Sequence, residues 1–178
     1  MSGRRPLHLR RVQCEAFVRE DGRIDLDGLL IDTKPQPLQL VHRAVPAGQA
    51  IHQMRVRLTI DRERRIVDAR VSSDHAPYAD CRGVEAAYRQ LVGLRIEPGF
   101  TLAVKRLFRG TAGCTHMTEL LPTLASTAFQ VLWASGEFAD AEAVATQRHS
   151  PLGGCHALRP DGDVVRTYFK EHARETPP

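Results

Sequence analysis

The sequence has few aromatic residues, few cysteines and no long run of apolar residues. Aromatic residues make up 6% of the 178 residues, which leaves few flat side chains on which nucleotide bases could stack. Its apolar stretches fall short of the roughly 20 residues that a membrane-spanning helix requires. Dinucleotide fingerprints, phosphate-binding glycine loops and the GxSxG elbow of hydrolases are absent as well. We therefore expect neither a nucleic-acid-binding protein nor a membrane protein, and none of these enzyme classes.

Cysteine is scarce, with four residues in the chain. No two of them form a CxxC pair, so the spacing of a zinc ribbon is missing. Four thiols in an intracellular chain of this length do not predict a disulfide framework. The N-terminus carries arginines but lacks the apolar segment of a signal peptide. We therefore expect a cytoplasmic protein whose thiols are free for other roles.

The charges nearly balance, with 25 Lys and Arg residues against 21 Asp and Glu residues and a formal net charge of +4. The arginines are scattered rather than clustered on one predicted face, so the small excess does not predict nucleic acid as a partner. Hydrophobic residues make up 42% and charged residues 26%, which is the mix of an ordinary globular protein. We expect a single domain over residues 1–178.

Strand patterns fill the first half of the sequence. Between His52 and Val71, apolar and polar residues alternate on either side of an arginine-rich turn, which is the period of a half-buried β-hairpin. The pair Asp21-Gly22 predicts a second hairpin turn. The predicted strands are Val12–Arg19, Ile24–Ile31, His52–Asp61 and Ile66–Val71. Residues 33–50, with three prolines, are expected to form a long irregular connection that is a candidate lid over a site.

Helical spacing replaces alternation in the second half. The predicted helices lie near 84–92, from Pro98 to Leu107, from Cys114 over the longest apolar stripe, and over Glu137–Ala145. A loop with glycine and proline follows at 148–163. Strands first and helices afterwards predict an α+β fold, with a small antiparallel sheet of about four strands and helices packed on one face.

Histidines and cysteines fall at the ends of predicted elements, where distant parts of a chain can converge. His52 begins a strand, and Cys81 precedes a helix. Cys114 and His116 stand at the start of the longest helix, whose N-terminus stabilises the thiolate form that binds metal. Two thiolates and two imidazoles suit zinc, or iron as a mononuclear ion or a cluster. Glu119, one turn beyond His116, is an additional candidate ligand.

The same residues also fit two other interpretations. Free cysteines often serve only in packing, and Cys14, inside a predicted strand, is expected to do so. Another interpretation makes Cys114 a nucleophile that a histidine activates. The histidines open for that role are His52, His75, His116 and His156.

Sequence blocks spread over nearly the whole chain resemble those of an uncharacterised bacterial family, domain of unknown function 2889. The blocks are DTKP at 32–35, HQMRVRLTID at 52–61, APYADC at 76–81, LVGLRIEPGF at 91–100, GCTHMTELL at 113–121 and CHALRPDG at 155–162. This family carries no assigned activity, so the resemblance implies a family and no function.

A second resemblance concerns the central hairpin. MRVRLTIDRERRIVDARV at 54–71 is similar to the central strand pair of the iron–sulfur cluster scaffold family typified by NifU. In that family a cysteine follows the strand pair, as Cys81 does here, and a His-Cys pair begins a later helix, like Cys114 and His116. The resemblance implies a scaffold-like core over about 45–135.

The scaffold resemblance also implies a ligand set, which consists of His52, Cys81, Cys114 and His116. His52 stands where the scaffold family has an aspartate, and Ala50, which cannot bind metal, stands where it has its first cysteine. Two thiolates rather than three suit zinc or iron with mixed ligands better than an assembling cluster.

The leading functional hypothesis is a metal-binding protein with an iron–sulfur-scaffold-like fold that holds iron, zinc or a cluster through Cys and His. The alternatives are a metal-dependent enzyme that acts on a small molecule at the same site, and a metal-free interaction module. Four protein ligands would close a structural site, whereas three plus water would make a catalytic one. Cys155 and His156, in the irregular C-terminal segment 148–178, are additional candidate ligands or an ordinary turn. The expected partners are a metal and either a small-molecule substrate or a protein.

Overall fold

The computed structural model describes residues 3–134 and 152–172. The chain divides into two compact units, Met1–Ala128 and Phe129–Pro178. The helix expected over Glu137–Ala145 lies outside the described residues. The expectation of a single domain stays a prediction.

The first unit is built on a four-stranded antiparallel sheet. The strands of the chain are β1 (Leu9–Val18), β2 (Ile24–Thr33), β3 (Leu38–Gln39), β4 (Ala44–Val45), β5 (Ala50–Ile60) and β6 (Ile66–His75). The main sheet has the order β1-β2-β5-β6. It forms because apolar residues alternate with polar ones, so that every second residue of β2 is buried on one face. The α+β class and the four-stranded antiparallel sheet expected from the sequence are confirmed.

The connection between β2 and β5 is more ordered than expected. Its short strands β3 and β4 pair with each other as a small hairpin. The amide of Leu40 donates to the carbonyl of Arg43 at the tip (2.9 Å), and the amide of Gly48 donates to the carbonyl of Lys34 at the base (2.8 Å). Two-residue strands are too short to show a period, which is why the sequence suggested an irregular loop.

Helical segments follow the sheet. They are a 3₁₀ segment over Ala79–Leu91, α1 (Phe100–Leu107), a 3₁₀ turn over Gly110–Ala112 and α2 (Thr115–Ala134). In the second unit, a short helix spans Asp163–Tyr168 and a 3₁₀ turn spans Lys170–His172. Pro122 lies inside α2. None of the described helices is long and apolar enough to cross a membrane.

α2 packs on the inner face of the sheet, and Gly28 makes this approach possible. A Cβ at Gly28 would lie 3.2–3.3 Å from the side-chain carbons of Leu124, closer than an ordinary packing contact. The buried residues of this layer include Leu26, Leu30, Met54, Val56, Leu58, Leu120 and Leu124. Cys14 is half-buried in β1, and burial raises the pKa of its thiol.

Candidate metal centre

Three neighbouring strands each place one polar side chain in the same row of the sheet. Arg10 on β1 pairs with Asp32 on β2, and Asp32 pairs with His52 on β5. The buried positions of β2 alternate along the strand and end with Asp32. This row, which consists of Arg10, Asp32 and His52, therefore lies next to the last buried apolar residues of the sheet, on the face that α2 covers.

Asp32 is a buried carboxylate, with 1% of its side chain exposed. Arg10 holds it with two hydrogen bonds, from Nε to Oδ1 and from Nη2 to Oδ2, each 2.8 Å long. Nε2 of His8 lies 3.0 Å from Oδ1. Burial alone would raise the pKa of Asp32, but the hydrogen bonds from Arg10 and His8 lower it to about 2. The carboxylate is therefore ionised, and its Oδ1 is fully engaged.

Two histidines face Oδ2 of Asp32. His52 Nδ1 lies 3.2 Å from this oxygen, and His116 Nε2 lies 3.6 Å from it. The two imidazole rings stack, with their centroids 3.9 Å apart. His52 Nδ1 is buried and makes no hydrogen bond to any of the described residues, although Asp32 Oδ2 is close to it. Buried polar atoms in native proteins rarely stay unpartnered, so this nitrogen calls for an explanation.

Both histidines favour the neutral form. Burial lowers the pKa of His52, and the neighbouring imidazole of His116 lowers it further. Burial also lowers the pKa of His116, with a smaller contribution from the positive charge of Arg10. A neutral imidazole has a free lone pair on one ring nitrogen, which is the state that binds a metal ion.

The start of α2 is fixed by packing and by a buried tyrosine. A Cβ at Gly113 would collide with Phe108, so only glycine fits where the chain enters the helix. The Tyr88 hydroxyl accepts a hydrogen bond from the Cys114 amide (2.9 Å), donates to the Cys114 carbonyl (2.9 Å) and lies 2.8 Å from Oγ1 of Thr118. These contacts hold the turn that carries His116.

An open pocket of about 750 Å³ adjoins the histidine pair. Fourteen residues line it: His42, His52, Met54, Pro77, Tyr78, Ala79, Asp80, Cys81, Val84, Thr111, Gly113, Cys114, Thr115 and His116. All four residues of the ligand set implied by the scaffold resemblance are among them. The sequence therefore identified side chains that share one cavity.

The two thiols stand apart from the close group of ligand atoms. Among the described residues, Asp32, His52 and His116 form the group whose potential ligand atoms all lie within 4.8 Å of one another. Cys114 Sγ lies 3.8 Å from His116 Nδ1, the ring nitrogen on the side away from Asp32. Cys81 is half-buried in the pocket wall. Metal roles for Cys81 and Cys114 stay predictions.

The remaining predicted ligands have other contacts. Oε2 of Glu119 accepts a hydrogen bond from Nη1 of Arg10 (2.7 Å), so this carboxylate supports Arg10. Cys155 is exposed in the second unit. Nε2 of His156 lies 3.3 Å from Nη1 of Arg159 in the same unit. Ligand roles for these three residues also stay predictions.

Sequence reasoning missed Asp32 and its partners Arg10 and His8. One signal was present for Asp32, because the inward positions of β2 run through Ile24 and Leu26 in steps of two and reach Asp32. An acidic residue in phase with a buried face is unusual and marks a candidate site. No such signal existed for Arg10, since its position opposite Asp32 depends on the register between two strands.

Residues 8–130 match the model of a family described as Protein of unknown function (DUF2889). The chain belongs to this family. The matched region of this DUF2889 protein contains all three residues of the row, Arg10, Asp32 and His52. It also contains His116, which α2 places beside them. Searches of curated proteins and of solved structures find no match to the chain.

Asp32, His52 and His116 offer donor atoms that could hold a mononuclear metal ion, once the two imidazoles turn from their stacked arrangement to point their lone pairs at it. Two ligand atoms that are each about 2.1 Å from one ion, at angles of about 90–120°, lie about 3.0–3.6 Å apart. Asp32 Oδ2 lies 3.2 and 3.6 Å from the two histidine nitrogens, which is this spacing. One carboxylate and two imidazoles are donors that divalent iron, zinc and manganese accept. Asp32 would bind through Oδ2, which contacts Arg10 alone, whereas Oδ1 contacts both Arg10 and His8.

Proposed function

We propose that this DUF2889 protein binds one divalent transition-metal ion through Asp32 Oδ2, His52 Nδ1 and His116 Nε2, and acts with it on a small molecule in the adjoining pocket. The observation that carries the proposal is the buried, unpartnered Nδ1 of His52, 3.2 Å from an ionised carboxylate. A shared metal ion would satisfy this atom and the facing nitrogen of His116 together.

The donor atoms support a metal-dependent enzyme rather than an iron–sulfur scaffold. Clusters are held mainly by thiolates, whereas the close group here consists of one oxygen and two nitrogens. Three protein ligands leave positions open, as in catalytic sites, and the pocket offers room for a substrate. The scaffold function, the NifU-like core and the cytoplasmic location stay predictions.

A bound ion would supply Lewis acidity and lower the pKa of a bound water molecule. The protein's own residues would hold it in place. Arg10 and His8 keep Asp32 ionised and oriented, and Cys114 lies next to the second ring nitrogen of His116. Such contacts to the outer side of a ligand typically tune metal affinity about 10- to 100-fold.

The proposal is tested by titrating metal-free protein, without a histidine tag, with Zn²⁺, Co²⁺ and anaerobic Fe²⁺ in a calorimeter. We expect one ion per chain. His52→Ala and His116→Ala should each weaken binding by at least roughly 100-fold, because each removes one of three ligands. His75→Ala is the matched control, since His75 is an exposed histidine of the same hairpin, and it should bind like the wild type.

Two outcomes would contradict the proposal. One is a folded wild-type protein that binds none of the three ions. The other is binding that survives His52→Ala but is lost in Cys81→Ser or Cys114→Ser, which would favour the thiol ligands implied by the scaffold resemblance. Circular dichroism of each variant separates loss of a ligand from loss of the fold.

A further inference from the structure

The side chains that line the pocket beside the candidate metal centre favour one chemical class of ligand. This inference rests on the proposed function, because it uses the metal as the anchor of the ligand. We infer that the pocket binds a small carboxylic acid with a flat, apolar body, the carboxylate on the metal and the body against Tyr78.

The first argument is the charge of the side chains that line the pocket. Among the described residues that line the pocket, Asp80 is the one acidic side chain, and lysine and arginine are not represented. A metal ion held by His52 and His116 would then be the positive charge of the wall. A single carboxylate suits such a site, whereas a phosphate ester normally requires several cationic or amide donors.

The second argument is Tyr78, an aromatic side chain in the wall of the same pocket. Tyr78 is half-exposed, so part of its ring is accessible to a ligand. The ring of His42 packs edge-on against it, at 6.1 Å between centroids and an interplanar angle of 79°. An aromatic ring has two faces, of which a single T-shaped neighbour covers at most one, and flat ligands stack on a face that is left open.

The third observation is that the β3–β4 hairpin contacts the part of the pocket wall that carries Tyr78. His42 lies at the tip of the β3–β4 hairpin, and the next residue, Arg43, donates from Nη2 to the carbonyl of Ala76 (3.3 Å). The tip therefore contacts the segment that carries Tyr78 at two points. Pro77 and Val84 add apolar surface beside the tyrosine. The cavity of about 750 Å³ is of the size that holds small organic ligands.

The experiment uses the full-length protein loaded with Co²⁺, whose visible absorption changes when an open position is filled. The probes are acetate, benzoate and inorganic phosphate. We expect benzoate to bind roughly 10-fold more tightly than acetate, because its ring is buried against the wall. Phosphate should bind more weakly than benzoate.

Variants locate the body of the ligand. Tyr78→Ala should weaken benzoate binding roughly 2- to 10-fold and leave acetate binding unchanged, since the lost contact is an aromatic pair. Tyr78→Phe keeps the ring and should behave like the wild type. Tyr168→Ala is the control, because Tyr168 is an exposed tyrosine that is not part of the pocket wall.

The outcomes separate this inference from the proposed function. If the wild type binds none of Zn²⁺, Co²⁺ and Fe²⁺, both the metal centre and the ligand assignment are wrong. If Co²⁺ binds but no carboxylate changes the spectrum, the metal centre stands and the ligand assignment is overturned. Equal affinities for acetate and benzoate, tighter binding of phosphate, or an unchanged benzoate affinity in Tyr78→Ala would overturn it as well.

Discussion

Replacing Arg10 by methionine should destabilise the metal-free protein far more than the same change at Arg57. The two arginines make similar contacts, because each donates two short hydrogen bonds to an aspartate on β2. Arg10 holds the buried Asp32 at 2.8 Å, and Arg57 holds Asp27 at 2.6 Å. The pairs differ in the burial of the carboxylate, which is 1% exposed in Asp32 and 29% exposed in Asp27.

The expected magnitudes follow from that difference. Removing one partner of a buried ion pair costs about 3–5 kcal/mol, because a buried charge is left uncompensated. Arg10 itself is 37% exposed and His8 still contacts Asp32, so we expect about 2–3 kcal/mol for Arg10→Met. The exposed pair should contribute about 0–1 kcal/mol, which is the range for Arg57→Met.

Urea unfolding of the metal-free variants measures both values. Asp32→Asn on the Arg10→Met background completes a double-mutant cycle, and the double variant should lose less than the sum of the single changes. If Arg10→Met and Arg57→Met lie within about 0.5 kcal/mol of each other, Asp32 does not depend on Arg10 as described, and the electrostatic account of the row is wrong.

Three further predictions concern the surroundings of the row. Gly28→Ala should lower the free energy of unfolding by about 1 kcal/mol because its Cβ crowds Leu124, and unchanged thermal stability would show that α2 adjusts freely. Tyr88→Phe should cost about 1–2 kcal/mol in urea unfolding, since the amide of Cys114 loses the hydroxyl of the buried Tyr88 as its acceptor; no loss would mean that the hydroxyl does not hold this turn. The pKa of Asp32 is about 2 in the folded state and near 3.9 in the unfolded state. Its ionised form therefore contributes about 1–2 kcal/mol to the free energy of unfolding, fully above pH 4–5, and this contribution is lost as the pH falls towards 2. Asp32→Asn should remove that part of the acid dependence, and an identical acid profile in this variant would contradict the assignment.

Much of the fold was predictable, because the period of two in β2 and in the middle of β5 fixes which of their residues are buried. The convergence of His52, Cys81, Cys114 and His116 on one pocket was also accessible, since all four lie at or near the ends of elements. The ends of predicted elements indicate which side chains come together, but they do not indicate the direction in which the ligand atoms of those side chains point.

The row itself was harder to find. Asp32 continues the buried phase of β2 and was recognisable in principle, whereas Arg10 and His8 reach it only through the register of β1. Register depends on long-range pairing, which a single sequence does not display. The position of the Cys114 thiol outside the close group likewise depends on the entry of the chain into α2, where Gly113 permits a close approach to Phe108.

The most direct test of the metal centre is a crystal structure of the protein grown with Co²⁺ or Zn²⁺, with anomalous data collected at the absorption edge of that metal. We predict a single strong peak about 2.0–2.2 Å from Asp32 Oδ2, His52 Nδ1 and His116 Nε2, with its open side towards the pocket. A peak bound instead to Cys81 and Cys114, or no peak near the histidine pair in a fully folded protein, would contradict the account.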